Sequence, residues 1–276
     1  GQRLLTEPVV LIDYLRLLAM PRAMTAGLFQ DAFPVAHSIV DFAVVASLAA
    51  WLTIAAIAIA QRRRYPAFTA AVFFFLVGHS MESTLIPLEL YFEHRNYVPA
   101  MLLFWPLASW LWNARAAYRQ ARRGVAVVAV ATLVMTTNAG ARIWGDSDML
   151  ARTWAVLAPD SARAQTFAAR YEIRRGELDR AQRRLLRVSD AQPDEIQVAL
   201  ALADVHCSTG SYSTDTERRL GTAFVSGHAG FGLAIDWLDA ATATPCSGRD
   251  LDGISRQIAM LKANPKMAGN RWRQQD

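Results

Sequence analysis

The chain has 276 residues and a mass of 30.5 kDa. Hydrophobic residues make up 53% and charged residues 19%, and mean hydropathy is +0.15, which argues against a wholly water-facing protein. The net charge of +5 does not read as a nucleic-acid footprint, because the basic excess lies beside apolar runs, whereas residues 141–276 are nearly balanced at 18 basic and 17 acidic.

In chain order, the first element is an apolar run from Leu4 to Met20 that carries Glu7, Asp13 and Arg16 and ends at Pro21. Those charges make it a poor bilayer span, and residues 1–41 read as an external or interfacial helical segment. The chain opens on Gly1 rather than Met, and further sequence upstream is expected. Four segments without Asp, Glu, Lys or Arg follow, at 42–60, 66–81, 98–112 and 125–140. The first is 19 residues long, close to the ~20 needed to cross a hydrocarbon core. Phe73, Phe74 and Phe75 fill the middle of the second, and Trp105, Trp110 and Trp112 suit an interfacial belt around the third. Buried helices of a soluble bundle would satisfy the lengths, but not the basic punctuation between them.

That punctuation orients the spans. Arg62, Arg63 and Arg64 lie between the first two, and Arg115, Arg119, Arg122 and Arg123 between the last two, with no acid in either loop. The loop between the second and third spans holds Glu82, Glu89 and Glu93 against Arg95. The positive-inside rule then makes both Arg-rich loops cytoplasmic. Residues 82–97 and 141–276 become external, as in the periplasm of a bacterium whose inner membrane carries a multi-pass protein.

Residues 141–276 read as a helical domain after a linker, GDSDMLARTWAVLAPD. Ala169 and Tyr171 fall on one helix, Gly176 on a turn, and Ala181, Leu185 and Val188 on a second helix that ends near Pro193. Further helices are expected around 216–224, 231–241 and 251–261. Cys207 and Cys246, the two cysteines of the chain, can pair in an oxidising compartment or remain free thiols. Their spacing fits no metal or redox motif.

The stretch GHSMESTLIPLELYFEHRNYVP, 78–99, concentrates ionisable groups at one end of the spans. His79 and Glu82 are three apart and share a face if helical; Glu89 and Glu93, four apart, form a like-charge pair that a cation or Arg95 would relieve. His94 and Arg95 can hold a phosphate, Arg95 by a two-pronged fork. Tyr91, Phe92 and Tyr97 offer flat surfaces to a sugar or a headgroup layer. The bland alternative is an interfacial loop whose charges solvate it and whose aromatics anchor it. His37, between Asp31 and Asp41, marks a second polar cluster; His206 and His228 read as structural or solvated, and Asp13 with Arg16 as an ordinary helix ion pair.

The run from Glu82 to Glu89, continued by Phe92-Glu93-His94-Arg95-Asn96-Tyr97-Val98-Pro99, resembles the external loop of polytopic C-type-fold membrane glycosyltransferases. The bacterial branch with C-terminal tetratricopeptide repeats is the nearest in kind, with a distant likeness to transmembrane O-mannosyltransferases. Residues 4–35 resemble the segment before that loop, and 161–207 resemble one such repeat with the start of a degraded second. The resemblance implies an all-α, polytopic protein that moves a sugar from a polyprenyl-phosphate carrier in the membrane to a periplasmic protein or glycan. It implies a carrier contact at His94 and Arg95, oriented by Glu82, Glu89 and Glu93, with His79 and Tyr97 nearby. A divalent metal is allowed by that likeness, though no ligand spacing here requires one. The family's catalytic acid lies in an earlier external loop, so no catalytic residue is assigned in this chain. Two other classes stay open: a non-catalytic membrane-anchored repeat scaffold of the envelope, and a transporter or polysaccharide-polymerase piece.

Overall fold

A computed structural model describes residues 2–30, 33–80, 91–112, 116–243 and 246–270, and these form an all-α protein. It divides into two compact units, residues 1–145 and 146–276.

The first unit opens with α1 (Gln2–Ala19), which buries Thr6, Glu7, Val10, Leu11 and Tyr14 along one face. Pro8 falls within it, and because proline lacks an N–H the helix loses one internal bond there. The carbonyl of Pro8 accepts a bond from the indole N–H of Trp51 at 3.2 Å, so α1 and α2 (Phe42–Ala60) are tied by a polar contact inside an apolar seam. The core around it joins Val10, Leu11, Tyr14, Trp51, Phe75 and Tyr91. A tight turn leads to α3 (Pro66–Ser80), where the Thr69 hydroxyl donates to Ala58 O at 2.8 Å.

The third apolar segment is not one straight helix. A 3₁₀ turn (Glu93–Asn96) runs into α4 (Tyr97–Ala100), a second 3₁₀ turn (Met101–Leu103) and α5 (Phe104–Trp112). Pro99 and Pro106 explain the interruptions, since each withholds the N–H that a continuous helix would use. The fourth segment is longer than its charge-free stretch: α6 (Ala116–Gly145) takes in Arg119, Arg122 and Arg123. Ala, Arg and Gln are strong helix formers, and the stretch expected as a loop therefore winds into the helix. Among the described residues, α2 and α6 are long and apolar enough to cross a membrane, by length and composition; α3 is apolar but shorter, at 15 residues.

The second unit starts where a linker was expected. Residues 147–157 form α7 (Ser147–Leu157), because the Asp146 carboxylate caps it by accepting from Asp148 N and Met149 N at 3.0 Å each. Leu150, Ala151, Trp154 and Ala155 give it a buried stripe. There follow α8 (Ala162–Arg174), α9 (Leu178–Ala191), α10 (Ile196–Thr209), α11 (Thr214–Ser226), α12 (Phe231–Ala243), α13 (Leu251–Ala263) and a short α14 (Pro265–Asn270). Gly176 makes the α8–α9 turn at φ +75°, a conformation that side chains with a Cβ rarely adopt.

α10 is apolar on two sides. Val198, Leu202 and Val205 join a cluster with α8 and α9, while Ile196, Ala199, Leu200 and Ala203 join a second with α11, α12 and α13. Cys207 at its end is bonded to Cys246, with an S–S distance of 2.05 Å. Closing a loop of 39 residues removes freedom from the unfolded chain worth about 4 kcal/mol on the chain-entropy account.

A polar layer crosses the α7–α8–α9 packing. Buried Glu172 receives a two-pronged contact from Arg184, Nε at 3.0 Å and Nη2 at 2.7 Å, and a third from Arg180 at 3.1 Å. Arg184 also donates to Gln165, whose amide donates to Ala155 O at 2.8 Å. The group is satisfied at every visible step, which is what permits a charge to be buried.

His206 lies buried with Nδ1 2.7 Å from the Thr216 hydroxyl and Nε2 3.2 Å from the Gln182 amide. Burial, then the positive charge of Arg219, lowers its pKa below the usual 6.5, against a smaller opposing pull from Asp215. The unfolded chain therefore binds the extra proton first. Stability is complete above about pH 6.5 and is lost as the pH falls through that value toward the depressed folded pKa. The denaturation midpoint of the full chain should fall between pH 7 and pH 5, and His206→Gln should flatten that slope. An unchanged slope in the variant would assign the pH response to other groups.

Candidate functional site

In the first unit, two neighbouring residues of α1 reach two neighbouring residues 78 positions later. The Tyr14 hydroxyl donates to Phe92 O at 3.0 Å and accepts from Phe92 N at 2.8 Å. The Tyr91 hydroxyl donates to Asp13 Oδ2 at 2.7 Å. A helix turns ~100° per residue, so Asp13 and Tyr14 point apart, and the returning chain spans both directions. Asp13 was expected to pair with Arg16; its carboxylate instead accepts a hydrogen bond from the Tyr91 hydroxyl.

Glu93, at the start of the following 3₁₀ turn, is held from the loop after α1. Thr25 Oγ1 donates to its Oε2 at 2.6 Å, and Gln30 Nε2 to its Oε1 at 3.3 Å. Burial raises its pKa, and those two hydrogen bonds work in the opposite direction. Burial also pushes the Tyr14 hydroxyl up to about 12 and, together with the Asp13 hydrogen bond, raises Tyr91 further. Both phenols stay protonated near neutrality, which makes them donors and not bases.

His79 is 4% exposed. Its ring stacks on Tyr14 at 5.5 Å and meets Phe75 edge-on at 4.7 Å, and Nε2 lies 3.3 Å from Asn96 Oδ1. His79, expected beside the carrier contact, lies in the core, where it braces the turn that carries His94 and Arg95. Gly78 lets α3 approach Pro99 closely, because a Cβ there would come within 3.0 to 3.2 Å of it.

Above this floor, the 3₁₀ turn places His94 and Arg95 against one ring. The His94 imidazole meets Phe92 edge-on at 3.9 Å, and the Arg95 guanidinium lies 5.2 Å from the Phe92 centroid. His94 is exposed, Arg95 half-buried, and Tyr97 79% exposed. Glu82 and Glu89 lie outside the described residues, and so does any contact of theirs with Glu93 or His79. Of the second polar cluster, Asp31 is likewise outside; Asp41 accepts from the His37 and Ser38 amides at 3.0 and 3.1 Å, a local turn cap. Among the described residues, no three His, Cys, Asp or Glu side chains come together as a metal-ligand set.

Thr25, Gln30 and Asn96 have no local signal that would single them out. Tyr14 has only its place on the buried stripe of α1. Tyr91→Phe should destabilise the chain by about 1 kcal/mol or more, because Asp13 loses its donor inside a partly buried site. Asp13→Asn, which keeps an acceptor, should cost less, and the double variant should cost less than the sum. Thermal melts in detergent would show it; strict additivity would mean the two side chains do not cooperate.

No protein-family model, no curated protein and no solved structure matches this chain.

Proposed function

We propose that this chain is part of a multi-pass protein of a bacterial inner membrane, with a helical, tetratricopeptide-like domain in the periplasm. The exposed apolar surface supports the membrane reading. Val127, Val134 and Met135 on α6 are 68%, 61% and 72% exposed, and Phe42 and Leu52 on α2 are 87% and 71%. Apolar faces of this extent are stable in water only when covered, and a bilayer covers them. Residues 62–64 are then cytoplasmic and 82–97 external. Arg63→Cys and Tyr97→Cys, both at exposed positions, test it, since bonded Cys207 and Cys246 do not compete. An impermeant thiol reagent on intact spheroplasts should label position 97 and spare position 63. The reverse pattern refutes the orientation, and equal labelling of both refutes the spans.

The activity proposed is transfer of a sugar from a polyprenyl-phosphate carrier to a periplasmic protein or glycan. The observation that carries it is the shared placement of His94 and Arg95 on one braced 3₁₀ turn. When the bond between sugar C1 and the carrier oxygen breaks, its electron pair goes to the phosphate. Arg95 would offset that charge through its fork, with His94 as a second donor. The acceptor's proton goes to a base that no residue of this chain supplies in this proposal. Glu93 acts as a positioning residue, because both of its oxygens are engaged by Thr25 and Gln30. A divalent metal, allowed by the family likeness, has no assigned ligands here.

In membranes containing the full-length protein, Arg95→Ala should slow transfer or weaken carrier binding at least tenfold, or ~1.4 kcal/mol. Arg95→Lys should recover part of it, since a point charge replaces the fork. An unchanged rate in a folded Arg95→Ala protein would end this assignment. It would favour the membrane-anchored repeat scaffold, which the closely packed hairpins of α8 to α11 also support.

A further inference from the structure

The other end of α3 carries a different site. His79 and Pro66 lie 13 residues apart on that helix, or ~20 Å along its axis. Around Pro66 there is a cavity of about 670 Å³ lined by Arg64, Tyr65, Phe68, Pro106, Ser109, Trp110, Arg122 and neighbouring atoms of α3. That volume falls within the range of small-molecule sites, ~300–1,000 Å³. Its walls are apolar and aromatic, and its cations are two guanidiniums.

Both guanidiniums are steadied by rings. Arg122 lies 4.2 Å from the Trp110 centroid and donates through Nη1 to Trp110 O; Arg64 lies 5.4 Å from the Tyr65 centroid. A guanidinium that uses its face on a ring keeps edge N–H groups for an acceptor. The stretches that build the cavity supply none that is charged: residues 42–81 and 94–145 contain no Asp or Glu. Two arginines at one apolar cavity, without an acid in either stretch, call for an anion from outside.

We propose that this cavity binds a phosphate-bearing amphiphile, a phospholipid drawn from the bilayer. Its phosphate lies between Arg64 and Arg122, and its chain along Pro66, Phe68 and Pro106. Phosphate suits the pair better than a carboxylate, because its several oxygens can accept from two forks at once. Ser109 offers a further hydroxyl to the headgroup. The inference does not depend on glycosyl transfer, since neither Arg95 nor its turn takes part.

The test is retention of lipid by the full chain in detergent micelles, read by native mass spectrometry. Phosphatidylglycerol should be retained at least tenfold better than diacylglycerol, which carries the same chains without the phosphate. Arg64→Ala and Arg122→Ala should each lower retention about fivefold or more. Ser109→Phe, which fills the cavity and touches no charge, should lower it as much, while Arg122→Lys should keep part of it and report on folding by its melting curve. Arg62→Ala removes the same charge from the same turn but does not line the cavity, so it should change retention less than twofold. An equal loss in Arg62→Ala would overturn the proposal in favour of diffuse attraction. Displacement of the lipid by millimolar inorganic phosphate would overturn its amphiphile part, showing a soluble phosphate site instead. Equal retention of both lipids, or full retention in Ser109→Phe, would refute the site.

Discussion

The hydroxyl of Tyr14 occupies the position a neighbouring backbone would hold, giving to Phe92 O and taking from Phe92 N. A part-buried backbone N–H left unpaired would cost about 1–3 kcal/mol; Tyr14 supplies the acceptor for Phe92 N and shares Phe92 O with the Arg95 N–H. Everything above it follows from that anchorage. With Phe92 fixed, the ring that receives His94 and Arg95 is fixed, and the 3₁₀ turn can be braced from below by His79 and from the side by Thr25 and Gln30. Polar contacts therefore place the groups, while apolar packing of Val10, Trp51 and Phe75 supplies the cohesion.

The second unit solves the same problem with charge. Glu172, Arg184 and Gln165 form a chain of contacts that ends on backbone carbonyls of α7 and of the turn after it. An apolar replacement of the whole set could be just as stable, but losing any one member would strand the others. The set thus acts as a register device: it fixes which turn of α9 faces which turn of α8, whose buried apolar residues are alanines.

Local pattern made the helices legible and left the site mostly hidden. The charge-free run 42–60 coincides with α2, because no charge, Gly or Pro interrupts it, and Gly176 marks the turn where the chain needs a left-handed residue. Pro99 and Pro106 are visible breakers, yet they lie in an apolar run that reads as one span until hydrogen bonding is considered. Residues 147–157 read as a linker because GDSD looks like loop chemistry, and the same Asp146 that suggests a turn is the cap that starts a helix. The pairing of Tyr91 with Asp13 has no local trace, since a contact across 78 residues is set by tertiary packing. His79 shows the same limit. Its spacing from Glu82 suggests a shared polar face, and its neighbours in space include Tyr14, Phe75 and Asn96.

α10 contributes one face to each of the two cores of its unit. Stacked helical repeats ordinarily share only nearest-neighbour surfaces, so they can fray from an end, one module at a time. A helix claimed from both sides removes that freedom. Detaching α8 and α9 would bare Val198, Leu202 and Val205 to water, and detaching α11 to α13 would bare Ile196, Leu200 and Ala203. The disulfide at Cys207 adds a covalent tether on the second side. The helices α8 to α13 are thereby bound into a single cooperative body.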